Sequence, residues 1–151
     1  MGAFSGFTNA GSTDIYVVKL NSSGTVQWTQ QLGSSTEDYA NDLVIDSSSN
    51  IYVVGNNNNG VDFDGNTSQG GGDIILIKYN TSGTKQWSRL YGSTRSDEGR
   101  GIAIDNSGNL FLTGYTTGSI DNNTVGKEKS RGSDQYYDYF ILKYDSNGNK
   151  Q

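Results

Sequence analysis

The chain of 151 residues has no cysteine, no histidine and no proline, and a single methionine. Without cysteine there are no disulfides and no thiol nucleophile, and nothing is learned about redox compartment. Without histidine or cysteine, a Ser-His-Asp triad, a Cys-His pair and a typical zinc site are excluded. Positive charge is also scarce. The 11 basic residues face 16 acidic ones, for a net charge of −5, and the nearest approach to a basic cluster is the scattered Lys127, Lys129 and Arg131. Nucleic acid and anionic membrane surfaces are therefore disfavoured as partners. No apolar run approaches the length of a spanning helix, and Met1 to Ala10 has neither a basic start nor an apolar core. No membrane insertion and no targeting signal are expected.

What is abundant is small and polar: Gly, Ser, Thr and Asn make 69 of the 151 residues. That composition alone would suit a disordered chain. The apolar residues, however, are gathered into runs such as IYVV and IILI, bounded by Gly, Asn, Asp and Ser, which is how strands joined by turns are written. The runs also recur. Sliding Asp14–Gly55 by 59 positions onto Asp73–Gly114 gives 17 identities in 42 positions without a gap, including Asp, Lys, Trp, Gly and Asp at matching places. A third copy opens at Asp138, 65 residues after Asp73, where DYFILKYDSNGNKQ matches DIILIKYNTSGTKQ. The chain is a repeat protein.

Each unit reads as four strands. The first two are Ala40–Asp46 and Asn50–Gly55, with counterparts at Gly99–Asp105 and Asn109–Gly114. The third and fourth are Asp73–Tyr79 and Thr84–Tyr91, with earlier counterparts at Asp14–Leu20 and Thr25–Leu32. Short links carrying Gly24, Gly83, Gly108 and Gly148 supply the positive φ that tight hairpins need. Ser49 stands at that position in one copy, so its turn is expected to be strained or of another type. The runs Ile51–Val54 and Ile74–Ile77 do not alternate, so both faces of these antiparallel strands must be covered. Stacked small sheets, each covered by its neighbours, are what a β-propeller provides. The fourth strand, with Val26, Trp28 and Leu32 between glutamines and threonine, is expected to alternate at a partly wet outer edge. The fold class expected is all-β, with propeller blades of four antiparallel strands and about two and a half blades present: a partial blade over 1–39, a blade over 40–98 and an incomplete blade over 99–151.

The pattern D-hydrophobic-K-hydrophobic-(N/D)-x-x-G-x-x-x-W, followed by G-S-x-x-x-x-D and by I-D-x-x-x-N-hydrophobic-G, resembles the bacterial beta-propeller repeat family SBBP from about Phe4 to Gln151. The resemblance implies one blade per repeat in large exported bacterial proteins; it does not by itself imply a catalytic activity. Together with the Asn-rich, Cys-free composition it places the protein outside the cell or on a bacterial surface. Even a four-bladed ring of 59-residue units needs about 236 residues. The chain is therefore expected to be an excerpt of a longer propeller or a homo-oligomer in which chains complete one another.

Two long loops, Asn56–Gly72 and Tyr115 to about Gln135, emerge on the rim opposite the tight hairpins. Binding residues tend to ride on such loops, although long loops are also merely tolerated. In the first of them, Asp62, Asp64 and Asn66 have the alternate spacing and the adjacent Gly of a calcium loop. The distal bidentate Glu is missing, so the stretch is read as a solvated turn with Val61 and Phe63 inward, and no cofactor is expected. Asp38 and Asp97 precede the first strands. A catalytic pair is usually unique, so their recurrence speaks for turn anchors. Asp46 and Asp105 read as hairpin residues bonding their own turns. Trp28 and Trp87 at fixed repeat positions are expected between blades, largely buried. The unrepeated Tyr136 and Tyr137, with Tyr139, are the candidate contact residues. The function expected is a non-enzymatic structural or interaction module whose protein or glycan ligand is unspecified. The alternative is a carbohydrate-binding or glycan-acting propeller with its site on the long-loop face.

Overall fold

The structure is a computed structural model and describes residues 6–120 and 137–151. All regular structure in it is β: β1 Ile15–Leu20, β2 Val26–Leu32, β3 Asp38–Ile45, β4 Ile51–Asn57, β5 Ile74–Tyr79, β6 Lys85–Tyr91, β7 Asp97–Ile104, β8 Leu110–Thr116 and β9 Asp138–Tyr144. They form three antiparallel meanders, β1-β2, β3-β4-β5-β6 and β7-β8-β9, called blades I, II and III below. Among the described residues no helix is long and apolar enough to cross a membrane. The molecule is a partial all-β propeller.

The tight hairpins share one construction. In the turn after β3, the Asp46 carboxylate accepts the backbone N–H groups of Ser48 and Asn50 at 2.9 and 2.8 Å, and the Ser49 N–H donates to the Asp46 carbonyl at 2.9 Å. Asn21, Asn80, Asp105 and Asp145 open equivalent turns. The left-handed residue is Gly in four of the five, whereas Ser49 adopts φ 62° in the same hydrogen-bonded turn. The serine is therefore strained without changing the turn type, since an L side chain resists that backbone region.

Alternation of side chains across blade II sorts its apolar residues into two cores. Tyr52, Val54, Ile74 and Leu76 face blade III and meet Ile102, Leu110, Leu112, Leu142 and Tyr144. Ile51, Val53, Ile75, Ile77 and Tyr79 face blade I and meet Ile15 and Val17. That is why IYVV and IILI do not alternate: period 2 sends successive residues to opposite faces, and each face has its own neighbour. The outer strands do not alternate cleanly. Val26 is exposed, and the rest of β2 is mostly half-buried. A bulge between Lys19 and Leu20 breaks the register there, where Leu20 pairs with Val26. A second kind of bulge, between Ala40 and Asp42, releases Asn41 from pairing. Asn41 then donates across the junction to the Gly99 carbonyl at 2.7 Å.

Candidate functional site

Successive blades are tied at both rims. On the hairpin rim, the repeated Lys and Trp of one blade seize the third hairpin of the next. Lys19 Nζ donates to the Thr81 carbonyl at 2.9 Å, and Trp28 Nε1 to the same oxygen at 3.1 Å. The Trp28 ring lies so close to Gly83 that a Cβ there would come within 2.6 Å of it. One unit later Lys78 Nζ donates to the Ser146 carbonyl at 3.0 Å, and Trp87 packs on Gly148. Arg89 adds hydrogen bonds to the carbonyls of Gly148 and Asn147, at 3.2 Å each. Both tryptophans are half-buried rather than fully buried, because the hairpin covers one part of the ring and water keeps the rest. The lysine that completes this clasp was legible as a recurring residue, yet only the structure showed its partner.

On the opposite rim, each junction holds two aspartates around a Gly-Ser dipeptide. Asp38 and Asp97 do not precede the first strands but are their first residues, and both are buried. At the first junction Ser34 donates to Asp38 Oδ2 from its N–H at 2.5 Å and its hydroxyl at 2.8 Å. At the second, Ser93 donates in the same way to Asp97 Oδ2 at 2.6 and 2.8 Å. The turn-anchoring role is thus real. Asp14 and Asp73, at the start of the third strands, are the other members. Ala10 N–H and the Gln31 amide donate to Asp14 Oδ2, while the Ser68 hydroxyl, at 2.6 Å, and Gln69 N–H, at 3.0 Å, donate to Asp73 Oδ2. The other oxygen, Oδ1, of all four aspartates is buried and has no hydrogen-bond partner. Burial pushes the Asp38 and Asp97 carboxyls above the ordinary range. Hydrogen bonds oppose this, from Ser34 at Asp38 and from Thr116 and then Ser93 at Asp97, and the charge of Asp14 or Asp73 reinforces it.

A groove of about 530 Å³ opens between blades I and II, lined by Tyr16, Val17 and Val18 of β1 and by Ala40 to Leu43 of β3, with Val53 at its floor. Among the described residues no strand pairs with the β1 edge that faces away from β2, whereas β5 and β9 at the same repeat position pair with β4 and β8. Positions that repeat inside the chain show what is uncovered. Leu43 is 49% exposed, against 8% for Ile102 at the same position of the next unit. Ile45 is likewise exposed and its counterpart Ile104 half-buried. At the far end Ile141 of β9 is 74% exposed, against 2% for its counterpart Leu76.

The loop with calcium-like spacing is committed elsewhere. Phe63 is buried in the core between blades I and II, while Asp62 and Asp64 point outward. Asp64 pairs with Lys85 and accepts the Ser88 hydroxyl at 2.6 Å; Asp62 accepts the Ser68 N–H at 2.9 Å. The Asn66 side-chain amide donates to the Phe63 carbonyl at 3.1 Å and to Ser88 at 2.9 Å. Part of the long loop is therefore a plug for the blade junction. Asp46 and Asp105 sit in their turns, where Asn50 and Asn109 also hydrogen-bond them. Tyr136 lies outside the described residues. Tyr137 is half-buried and packs edge-on against Tyr115, with ring centroids 5.0 Å apart. Tyr139 lies in β9 and is strongly exposed. Among the described residues no three acidic, His or Cys side chains gather at one point.

Known proteins resemble the chain in sequence. The profile of the SBBP family, described as a beta-propeller repeat, matches residues 27–64 and 86–121, one segment per unit. A WD repeat-containing protein of Acanthamoeba polyphaga mimivirus is 24% identical over 144 residues, covering 85% of the chain and 10% of the relative. The regulatory protein FlaEY of Caulobacter vibrioides is also 24% identical over 144 residues, covering 91% of the chain and 15% of the relative. The chain thus spans only a small part of the length of either.

Proposed function

We propose, starting from a chain whose two units are SBBP beta-propeller repeats, that it acts as a non-enzymatic interaction module assembled through its open blade faces. The observation that carries this reading is the difference in exposure at repeat-equivalent positions, Leu43 against Ile102 and Ile141 against Leu76. Apolar residues that are core in one unit are bare in another. An apolar face beside a free strand edge is a site for further strands. Inside the chain, the face of β7 is covered by β3 and β4 of the preceding blade, and the face of β5 by β7 of the following one. By that rule the groove between β1 and β3 takes a strand pair of the same repeat type, adding to the edge of β1 that no described strand pairs with. The β9 face takes a first strand, with Lys143 placed as Lys19 and Lys78 are to hold the incoming hairpin. These strands come from further repeats, in the same polypeptide or in a second copy.

The much greater length of the two relatives supports a place in a longer array. The Asn-rich, Cys-free composition supports an exported or surface setting in bacteria. A glycan site on the repeated tryptophans is less well supported, since Trp28 and Trp87 already lie against the next hairpin. Light scattering on the purified chain tests the reading. Concentration-dependent association at micromolar levels, relieved by Leu43→Glu or Ile141→Glu, is the expected result; a strictly monomeric, well-folded chain counts against it.

A further inference from the structure

Each blade junction buries a pair of carboxylates, and among the described residues no ion pair with a lysine or arginine neutralises them. Asp73 and Asp97 are 0% and 1% exposed, and Asp14 and Asp38 are 8% and 1% exposed, yet each leaves Oδ1 without a partner. We propose that each junction binds one divalent cation of the calcium class, held between Asp73 and Asp97 at the second junction and between Asp14 and Asp38 at the first.

Charge is the first argument. A buried ion must be paired or it costs several kcal/mol. The charges that act most on Asp38 are those of Asp14 and Glu37, and on Asp97 that of Asp73, all negative. A shared proton would leave one negative charge, whereas a divalent cation neutralises the pair.

Geometry is the second. The carboxylates converge on a glycine. A Cβ on Gly92 would overlap Asp73 Oδ1 and lie 2.8 Å from Asp97 Oδ2, and a Cβ on Gly33 would overlap Asp14 Oδ1. At the second junction the point beside Gly92 is within contact range of both acids, and at the first the point beside Gly33 is within range of Asp14. The serine hydroxyls, with Ser93 Oγ 2.8 Å from Asp97 Oδ2, already orient one oxygen of each pair. All donors are hard oxygens, with no nitrogen or sulfur among them, which selects calcium or magnesium over transition metals. The constellation Asp-x18-Gly-Ser-x3-Asp recurs in both units with the same orphaned oxygens, so the site is a property of the junction. The exposed Asp62–Asn66 loop lacks this need, because Lys85 already neutralises Asp64.

The full chain, stripped with EDTA and moved to metal-free buffer, is titrated with calcium chloride alone by calorimetry and by thermal unfolding. Two ions per chain are expected, with a rise of several degrees in melting temperature that EDTA reverses. The double variant Asp73→Asn with Asp97→Asn, whose pair is neutral without an ion, should bind one ion per chain, and Asp62→Asn should still bind two. If the double variant fails to fold, the calcium-dependent melting of the unmutated chain decides alone. Superimposable melting curves in calcium and in EDTA between pH 5 and pH 8 would overturn the proposal, as would unchanged stoichiometry in a folded double variant.

Discussion

Leu43 and Ile102 occupy the same position of successive units, 59 residues apart, and therefore form a built-in control for the open-face reading. Ile102 is 8% exposed and belongs to the core between blades II and III, whereas Leu43 is 49% exposed beside the groove. Truncating a buried aliphatic side chain to Ala costs about 2–5 kcal/mol, from lost transfer energy and the cavity left behind. With Ile102 nearly fully buried, about 3 kcal/mol is the reasonable centre. Leu43 keeps about half of its surface in water and leaves no enclosed cavity, so Leu43→Ala should cost only about 1 kcal/mol. Urea unfolding at low protein concentration measures both, and the difference of about 2 kcal/mol exceeds the usual error of extrapolation. Equal costs in a dilute, monomeric sample would refute the reasoning, because they would mean that Leu43 is covered within a single chain. A cost for Leu43→Ala that grows with protein concentration would instead show the face being covered by association.

Trp87→Ala should destabilise by about 2–3 kcal/mol, less than a fully buried aromatic, because only part of the ring is covered by the Gly148 hairpin; chemical denaturation measures it. Gly92→Ala should cost about 1–3 kcal/mol in the same assay, since the new methyl meets two carboxylates that cannot retreat from a packed junction. Ser49→Gly should stabilise by about 0.5–1 kcal/mol, the relief of left-handed strain less the added chain entropy of glycine, and an unchanged melting temperature would contradict the strain. The pH dependence has two opposed parts. Asp105 and Asp145 are held below the ordinary value of 3.8, Asp105 chiefly by Asn109 and Asp145 by Asn149; Asp46 is held below it too, with burial opposing and Asn50 and Ser48 prevailing. Their stabilisation is present above pH 3.8 and is lost as pH falls through their lower folded values. Asp38 and Asp97 are raised, so the folded state binds protons more readily than the unfolded, and stability falls as pH rises from 3.8 through their folded values. These two groups should therefore oppose the turn aspartates, making the protein less stable as pH rises above 3.8, and calorimetric scans of the chain and of Asp38→Asn and Asp97→Asn across that range check the sign.

Much of the architecture is local and periodic, and for that reason it could be read from the chain. Asp, Asn and Gly at the hairpins bond their own backbone, so Asp46, Asn80 and Gly108 announce their turns without reference to any other element. The unbroken apolar runs of β4 and β5 carry enough information to require cover on both faces, and strand limits read from them fall within two residues of those observed. Where a strand depended on its neighbours, the reading was less exact. The outer strand β2 does not alternate, its residues Trp28 to Leu32 all being half-buried, and the half-burial of Trp28 and Trp87 was set by how far one hairpin reaches over each ring.

The repeat, the strand order and the turn chemistry were thus determined by the sequence itself, because each depends on residues a few positions apart or on a period of 59. The pairing of Asp73 with Asp97, the grip of Lys78 on the Ser146 carbonyl, and the exposure of Leu43 beside the cover of Ile102 were decided only by the tertiary structure. Identical residues at equivalent positions carry identical local signals, but burial and charge compensation depend on which blade lies alongside. That is a relation between sheets, set by packing across tens of residues, which no single stretch of chain encodes.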